Sequence, residues 1–220
     1  MTDISEQVGD QTAQHLLKMG NLAAESLKLA IQALRDQDVK LALKVIEQDD
    51  QLDNLQIVVE EEIERGIGTN RNPSLTTFDL RRDLAMAKIG VDLERIGDYA
   101  TNIAEVVMEL KDESYLKPLV HIPQMANLVM NMVNTSLKAF IEKNADLADA
   151  VCQRDDEADN LYEEVREELI RITGQESDPR KAYQASRFLL IAEWLERAGD
   201  HATNIGEATI HIVTGKRVKY

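Results

Sequence analysis

The sequence has few of the residues from which a disulfide, a thiolate metal site or an aromatic core is built. Cys152 is the only cysteine in 220 residues, so no intramolecular disulfide can form. Aromatic residues make up 4% of the chain, so the core must be aliphatic. No run approaches the roughly 18 consecutive apolar residues that span a bilayer, and the N-terminal residues lack the pattern of a signal peptide. We therefore expect a cytoplasmic protein without direct membrane insertion.

Positive charge is also scarce. The chain has 25 Lys and Arg against 40 Asp and Glu, and its formal net charge is −15. Nucleic-acid-binding surfaces normally carry a basic stripe, and anionic lipid headgroups attract basic segments. The charge balance therefore argues against a nucleic-acid partner and against adhesion to an anionic membrane surface.

Strand signals are absent, whereas helical periodicity runs through most of the chain. The segment 124–173 contains neither Gly nor Pro, and its apolar residues recur at helical spacing. Asp38 and Asn144 are candidate N-caps, and Asp178 precedes a proline at a first helical position. Gly66 and Gly174 are candidate C′ residues, with a loop over 66–73. The sequence predicts an all-α fold of six long antiparallel helices over about 4–36, 39–65, 78–111, 123–143, 145–173 and 179–214.

The two halves of the chain match each other. Met19 and Asp49 fall on Met125 and Asp155 at an offset of 106 residues, together with nine further identities. After a shorter loop the offset becomes 102, and the segments 93–105 and 195–207 are identical at ten of 13 positions. Since loops tolerate length changes better than packed helices, this pattern indicates a tandem duplication of a three-helix bundle. We expect one unit over residues 1–112 and the other over 113–220.

Each third helix carries a stripe of acidic and amide side chains. At about 100° per residue, Glu94, Asp98 and Asn102 lie within an arc of roughly 80°. The second copy repeats the stripe with Glu196, Asp200 and Asn204. Like charges four residues apart destabilise a helix by a few tenths of a kcal/mol per pair. A stripe of this kind needs a positive group nearby, either Arg or Lys from a neighbouring helix or a bound cation.

The second helix of each half supplies further carboxylates. Asp49 and Asp53 are one turn apart, and so are Asp155 and Asp159. If the second and third helices pack antiparallel, these pairs can meet the third-helix stripes at one rim. Four carboxylates and an amide oxygen form a hard oxygen shell suited to Mg, Mn, Ca or Fe.

Solvated acidic faces are common on surface helices, and this is the simpler interpretation of either stripe alone. The repetition of the whole set at matching positions favours a metal site. Gly97 and Gly199 lie in the middle of the stripes, and we expect them to permit close helix packing. His201 aligns with Tyr99 and is expected at a surface or interface, and Cys152 is expected in the core.

A duplicated three-helix unit with Leu-Glu-Arg-x-Gly-Asp-x-Ala-Thr-Asn-Ile in each copy resembles the PhoU family, the phosphate-specific transport system accessory proteins. The resemblance covers essentially the whole chain. It implies two similar three-helix bundles, a homodimer, and divalent or trivalent metal ions (Fe, Mn, Mg or Zn) on the two acidic faces. Carried over by position, the implied metal residues are Asp49, Asp53, Glu94, Asp98 and Asn102 at one site and Asp155, Asp159, Glu196, Asp200 and Asn204 at the other.

The resemblance also implies a function. Members of the family restrain phosphate uptake and phosphate-starvation signalling when phosphate is plentiful. They do so by contacting the ATPase of the phosphate ABC transporter and a membrane sensor histidine kinase. We therefore expect a non-enzymatic regulatory adaptor.

Two other functions remain open at this point. A metal-dependent hydrolase is one, although the chain shows no nucleophile motif, no repeated histidine and no Glu-x-x-His motif of a ferritin-like di-iron site. A purely structural helical interaction protein is the other. In that case the acidic faces would be solvated, and neither chelation nor added metal would change the melting temperature.

Overall fold

The computed structural model describes residues 4–69, 76–175 and 177–220. These residues form an all-α fold, and no strand occurs in them. None of the helices in these ranges is long and apolar enough to cross a membrane. The helices are α1 (Ile4–Asp36), α2 (Val39–Thr69), α3 (Thr77–Glu109), α4 (His121–Ile141), α5 (Ala145–Cys152), α6 (Asp155–Gln175) and α7 (Pro179–Thr214).

The helices pack as two groups that share one hydrophobic core. In the first half, α1, α2 and α3 all contact one another. In the second half, α4, α5 and α6 all pack on α7, which is the counterpart of α3. The halves meet where α3 packs on α7 and α1 packs on α4. A continuous buried cluster runs through both halves, from Leu16 and Leu93 in the first to Met132 and Leu195 in the second.

The turn between the first two helices of each half shows the duplication in its backbone. Gln37 and Lys143 occupy equivalent positions, and they are the two described non-glycine residues with a positive φ, 53° and 51°. In each turn the following residue donates its backbone N–H to a helical carbonyl five residues earlier, which closes the end of the first helix. The predicted caps are confirmed, because Asp38 accepts from the N–H of Leu41 and Asn144 from the N–H of Leu147.

The fifth predicted helix is divided in two, which the sequence did not indicate. The backbone N–H of Arg154 donates to the carbonyl of Val151 at 2.9 Å, and the N–H of Glu157 donates to the carbonyl of Arg154 at 3.0 Å. These bonds span three residues instead of four and separate α5 from α6. The Arg154 guanidinium is held by Asn131 on α4 at 2.6 Å, so a contact with another helix fixes the turn. Neither Gly nor Pro marks this position.

Two predicted helix ends were also wrong. Gly66 lies inside α2, which continues to Thr69, and Gly174 lies inside α6, which continues to Gln175. Gly66 is buried, and packing there outweighs the weak helix propensity of glycine, which amounts to about 1 kcal/mol relative to Ala. The rest of the predicted loop, residues 70–73, lies outside the described residues. The predicted start of the last helix is confirmed, since Asp178 caps it by accepting from the N–H of Arg180.

Candidate metal centres

Four carboxylates of the first half lie together where α2 packs on α3. We call this group the first acidic face, and its members are Asp49, Asp53, Glu94 and Asp98. Their mutual proximity is evident in Glu94, because the charges of Asp98, Asp53 and Asp49 all act to raise the pKa of its carboxyl. The packing of α2 against α3 thus brings the two predicted pairs to one rim.

The second half has the corresponding group where α6 packs on α7. This second acidic face consists of Asp155, Asp159, Glu196 and Asp200. The charges of Asp200, Asp159 and Asp155 raise the pKa of Glu196, so these four groups also act on one another electrostatically. The structure therefore brings together all eight carboxylates that the sequence analysis singled out, in two clusters of four.

A threonine anchors the innermost aspartate of each face. Thr101 Oγ1 on α3 donates to Asp49 Oδ1 on α2 at 3.1 Å, and Thr203 Oγ1 on α7 donates to Asp155 Oδ1 on α6 at 3.0 Å. Both threonines belong to the repeated Ala-Thr-Asn sequence, although the acidic pattern alone predicts no role for them. The occurrence of threonine at the same position in both halves is the sequence feature that could have identified this role. The bond fixes one carboxylate oxygen and leaves the other for a further interaction.

Electrostatics on the first acidic face disfavours full ionisation. Burial raises the pKa of Asp49, Glu94 and Asp98 above the ordinary values, and the other carboxylates add to the effect. Arg95 opposes the increase for its neighbours on α3. Its Nη1 donates to Asp98 Oδ2 at 3.0 Å, and its Nε lies 3.7 Å from Glu94 Oε2.

The second acidic face is more strongly perturbed. Burial and then the neighbouring carboxylates raise the pKa of Glu196 to about 7, from 4.5 for a free glutamate. Burial also raises the pKa of Asp155, Asp159 and Asp200. Arg197 is the counterpart of Arg95, but its Nη2 donates to Glu193 at 2.6 Å, one turn away from the face. The same arginine position thus neutralises one face more than the other.

The two predicted asparagine ligands differ in their surroundings. Asn102 is partly buried on α3, one turn beyond Asp98. The side chain of Asn204 bonds to α3, with Lys88 Nζ donating to its Oδ1 and its Nδ2 donating to Asp92 Oδ1, both at 3.4 Å. Asn204 therefore serves the contact between α3 and α7, and its hydrogen bonds do not join it to the second acidic face.

The carboxylate groups of the acidic faces are suitable ligands for a metal ion, but their oxygen atoms are not arranged in a coordination geometry. Carboxylate oxygens are the ligands that Mg²⁺, Mn²⁺ and iron prefer, and the clustered negative charge needs compensation. Within the described ranges, no three His, Cys, Asp or Glu side chains converge closely enough to hold an ion as they stand. Metal binding at these faces would require rotation of the carboxylates.

The structure also tests the expectations for Cys152 and for the two glycines within the acidic stripes. Cys152 is 1% exposed, as expected for a core residue. A Cβ atom on Gly97 would lie 2.9 Å from Leu52 Cδ2, so Gly97 does permit a close approach of α3 to α2. At Gly199 the nearest atom would be Ala158 Cβ at an ordinary 3.5 Å, so close packing does not require glycine there.

His201 lies at the interface between the halves, as expected, and it has a partner that the sequence analysis missed. Its Nδ1 lies 2.8 Å from Asp92 Oδ1 on α3, and Asp92 is 4% exposed. The His201 ring also packs at 5.8 Å from that of Tyr99, its counterpart in the first half. Asp92 aligns with Trp194, so the comparison of the two halves carried no signal for this contact.

Comparisons with known proteins identify the same family along the whole chain. The PhoU domain model matches residues 16–107 and 122–209. The chain is 38% identical over 211 residues to the phosphate-specific transport system accessory protein PhoU homolog of Aquifex aeolicus, covering 96% of this chain and 93% of the relative. It is 36% identical over 209 residues to that of Clostridium acetobutylicum, covering 95% and 94%.

Solved structures agree with the sequence comparisons. The crystal structure of PhoU from Pseudomonas aeruginosa superposes with a TM-score of 0.87 at 35% identity, covering 94% of this chain and 97% of that one. The phosphate transport system regulatory protein PhoU from Streptococcus pneumoniae superposes with a TM-score of 0.88 at 26% identity, covering 98% and 100%.

Proposed function

The chain belongs to the PhoU family, and from this premise we propose that it is a cytoplasmic regulatory adaptor that restrains phosphate uptake and phosphate-starvation signalling. The observation that carries the proposal is the similarity to proteins named as phosphate-specific transport system accessory proteins over almost the full length of both chains. The proposed partners are the ATPase of the phosphate ABC transporter and a membrane sensor histidine kinase.

Complementation tests the regulatory role. In a bacterium whose own PhoU gene has been deleted, expression of this chain should restore repression of a phosphate-starvation reporter in phosphate-rich medium. Co-purification with the transporter ATPase and with the kinase, each tested separately, identifies the contacts. A reporter that stays derepressed although the chain is present at normal levels would refute the proposal.

We further propose that metal ions bind the two acidic faces and brace the bundles. The proposed ligands are the eight carboxylates, with Asn102 at the first face. The support is electrostatic. Burial and neighbouring carboxylates raise the pKa of Asp49 and Glu94 on the first face and of Glu196 and Asp200 on the second, and a bound cation would compensate the clustered charge. A cation that binds only the folded state stabilises it by about 2.7 kcal/mol at a concentration 100-fold above its dissociation constant.

Thermal melting with chelator and with added Mn, Mg, Zn or Fe tests this proposal. The Asp98→Asn/Asp200→Asn variant should gain less from metal than wild type does. A matched control is Asp112→Asn/Asp146→Asn, which makes the same change in charge at exposed positions away from both faces. If the Asp98/Asp200 variant gains as much from metal as wild type, these aspartates are not ligands and the acidic faces are simply solvated.

The chain is also proposed to form a homodimer. Several large apolar side chains are exposed on its surface, among them Leu84 at 68%, Ile170 at 57% and Ile57 at 53%. Pairing that covers such side chains would remove apolar surface from water, which favours association. Sedimentation equilibrium should give twice the mass of the chain, and a monomer at every concentration tested would contradict the proposal.

A further inference from the structure

A cleft lies between α3, the end of α7 and the segment that follows α7. Its lining is far richer in basic groups than the rest of the chain. Its volume is about 250 Å³, and its charged lining consists of Arg81, Lys88, His211, Arg217 and Glu207. Three permanent positive charges thus face one carboxylate, in a protein whose net charge is −15. Such a concentration of positive charge is disfavoured by self-repulsion unless an anion compensates it.

Side-chain contacts within the cleft pair little of this positive charge, and the carbonyl groups at the end of α7 offset part of it. Glu207 Oε1 accepts the backbone N–H of Tyr220 at 3.0 Å, so the carboxylate has another partner. Lys88 donates to the neutral side chain of Asn204 at 3.4 Å. In the part of the chain that the structure describes, no salt bridge joins Arg81 or Arg217 to a carboxylate.

The position of Arg81 depends on a glycine. Gly215 ends α7 with a φ of 73°, a conformation that other residues rarely adopt. A Cβ atom there would lie 2.9 Å from Arg81 Nη1, so a side chain at position 215 would displace the guanidinium. The helix end therefore provides the space that Arg81 occupies at the cleft, and the carbonyl groups at this end also attract the cation.

His211 adds a further polar side chain to the cleft. It lies on the last turn of α7, lines the cleft and is only partly buried. An imidazole N–H beside Arg81 and Lys88 would be a further donor to an oxyanion.

We propose that this cleft binds a phosphate dianion, either free inorganic phosphate or the phosphoryl group of a small monoester. Guanidinium groups present paired N–H donors that match the oxygens of phosphate, and charge-assisted hydrogen bonds of this type are stronger than neutral ones. The cleft adjoins the second acidic face, since the charge of Glu207 acts on Asp155, but its lining includes none of the eight carboxylates of the two faces. The proposal does not depend on the regulatory role, since binding can be measured on the isolated protein.

Isothermal titration of the metal-free protein tests the proposal, with inorganic phosphate and O-phosphoserine as ligands, chelator present and ionic strength held constant. We expect saturable binding of at least one ligand by wild type. The Arg81→Gln/Arg217→Gln variant should bind at least about tenfold more weakly, because it loses two charged donors. The control Arg171→Gln/Arg180→Gln makes the same change in charge at exposed positions outside the cleft and should bind as wild type does.

The two ligands separate the two sources of the phosphoryl group. Tighter binding of inorganic phosphate identifies the free ion as the ligand, and tighter binding of O-phosphoserine identifies a monoester. Lys88→Gln should weaken binding by a smaller factor, and this single exposed substitution guards against a folding defect in the double variant. Absence of binding by wild type, or equal affinities for wild type and the Arg81/Arg217 variant, would overturn the proposal.

Discussion

Replacing Glu196 by glutamine should stabilise the metal-free protein at neutral and alkaline pH. Burial and the neighbouring carboxylates raise the pKa of Glu196 to about 7 in the folded state, whereas an unfolded chain has the ordinary value of 4.5. Below about pH 4.5 the group is protonated in both states and makes no difference to stability. As the pH rises through 7 the folded protein must hold an unfavourable charge, so stability is lost over this interval. Glutamine keeps the shape of the side chain without that charge.

The magnitude follows from the two pKa values. A tenfold change in a proton-binding constant corresponds to about 1.4 kcal/mol, so a pKa raised from 4.5 to about 7 corresponds to at most about 3.5 kcal/mol. Glu196 is only partly buried, and solvent screening reduces the effect to about 1 to 2 kcal/mol. The Glu196→Gln variant should exceed wild type by this amount at about pH 8 and equal it at about pH 4.5.

Urea denaturation in the presence of chelator measures this difference directly at several pH values. The matched control is Glu94→Gln at the equivalent position of the first half. Its gain should be smaller, because Arg95 Nε lies 3.7 Å from Glu94 Oε2 and already compensates part of the charge. The reasoning is refuted if Glu196→Gln has the same effect at low and high pH, or if it destabilises the protein at about pH 8.

Three further predictions concern residues of α7. Gly199→Ala should raise the free energy of unfolding by about 1 kcal/mol, since the added methyl meets its nearest neighbour at 3.5 Å and improves helix propensity. Gly206→Ala should lower it by about 1 to 3 kcal/mol, because the methyl would lie 2.6 Å from Cys152 Sγ and 3.1 Å from a backbone carbonyl of α5. Thr203→Val should destabilise the protein by about 1 to 2 kcal/mol at about pH 8 and by less under acid conditions, because ionised Asp155 loses its 3.0 Å hydrogen bond. Urea denaturation measures all three, and a destabilising Gly199→Ala, a neutral Gly206→Ala or a pH-independent Thr203→Val would contradict them.

The sequence predicted those features that the duplication repeats. The caps at Asp38 and Asn144 are confirmed, and the family and the all-α fold are confirmed by the comparisons. Because the two halves have the same three-helix pattern, a residue that occurs at equivalent positions in both is a better guide to the fold than a residue that occurs in one half alone. The division of the chain at residue 112 and the metal ligands stay predictions.

The features that were missed depend on contacts between elements far apart in the sequence. Arg154 ends α5 through its bond to Asn131 on α4, a contact that local periodicity does not encode. Asp92 pairs with His201 across the two halves, and neither residue is repeated in the other half. Gly66 was assigned to a helix end from its propensity alone, although burial keeps it within α2. In each case tertiary packing determines a local feature, either a helix boundary or a side-chain contact, that the neighbouring sequence alone does not predict.

The two acidic faces show how duplicated sites become different without any change in their carboxylates. Both faces have the same Asp, Glu and Thr positions, and both keep the threonine hydrogen bond to the inner aspartate. The difference lies in the arginine that occupies equivalent positions in the two halves. Arg95 donates to Asp98 within the first face, whereas Arg197 donates to Glu193, which lies outside the second face. The first face therefore has its counter-charge in direct contact, whereas Arg197 opposes the pKa increase of Glu196 and Asp200 without a hydrogen bond to either, and the pKa of Glu196 is still raised to about 7. If the proposed cation binds the second face, it must displace a proton from Glu196, whose pKa is raised further than that of Glu94 on the first face. Its binding there should consequently depend more steeply on pH, which makes the second face the more responsive of the two to conditions around neutrality.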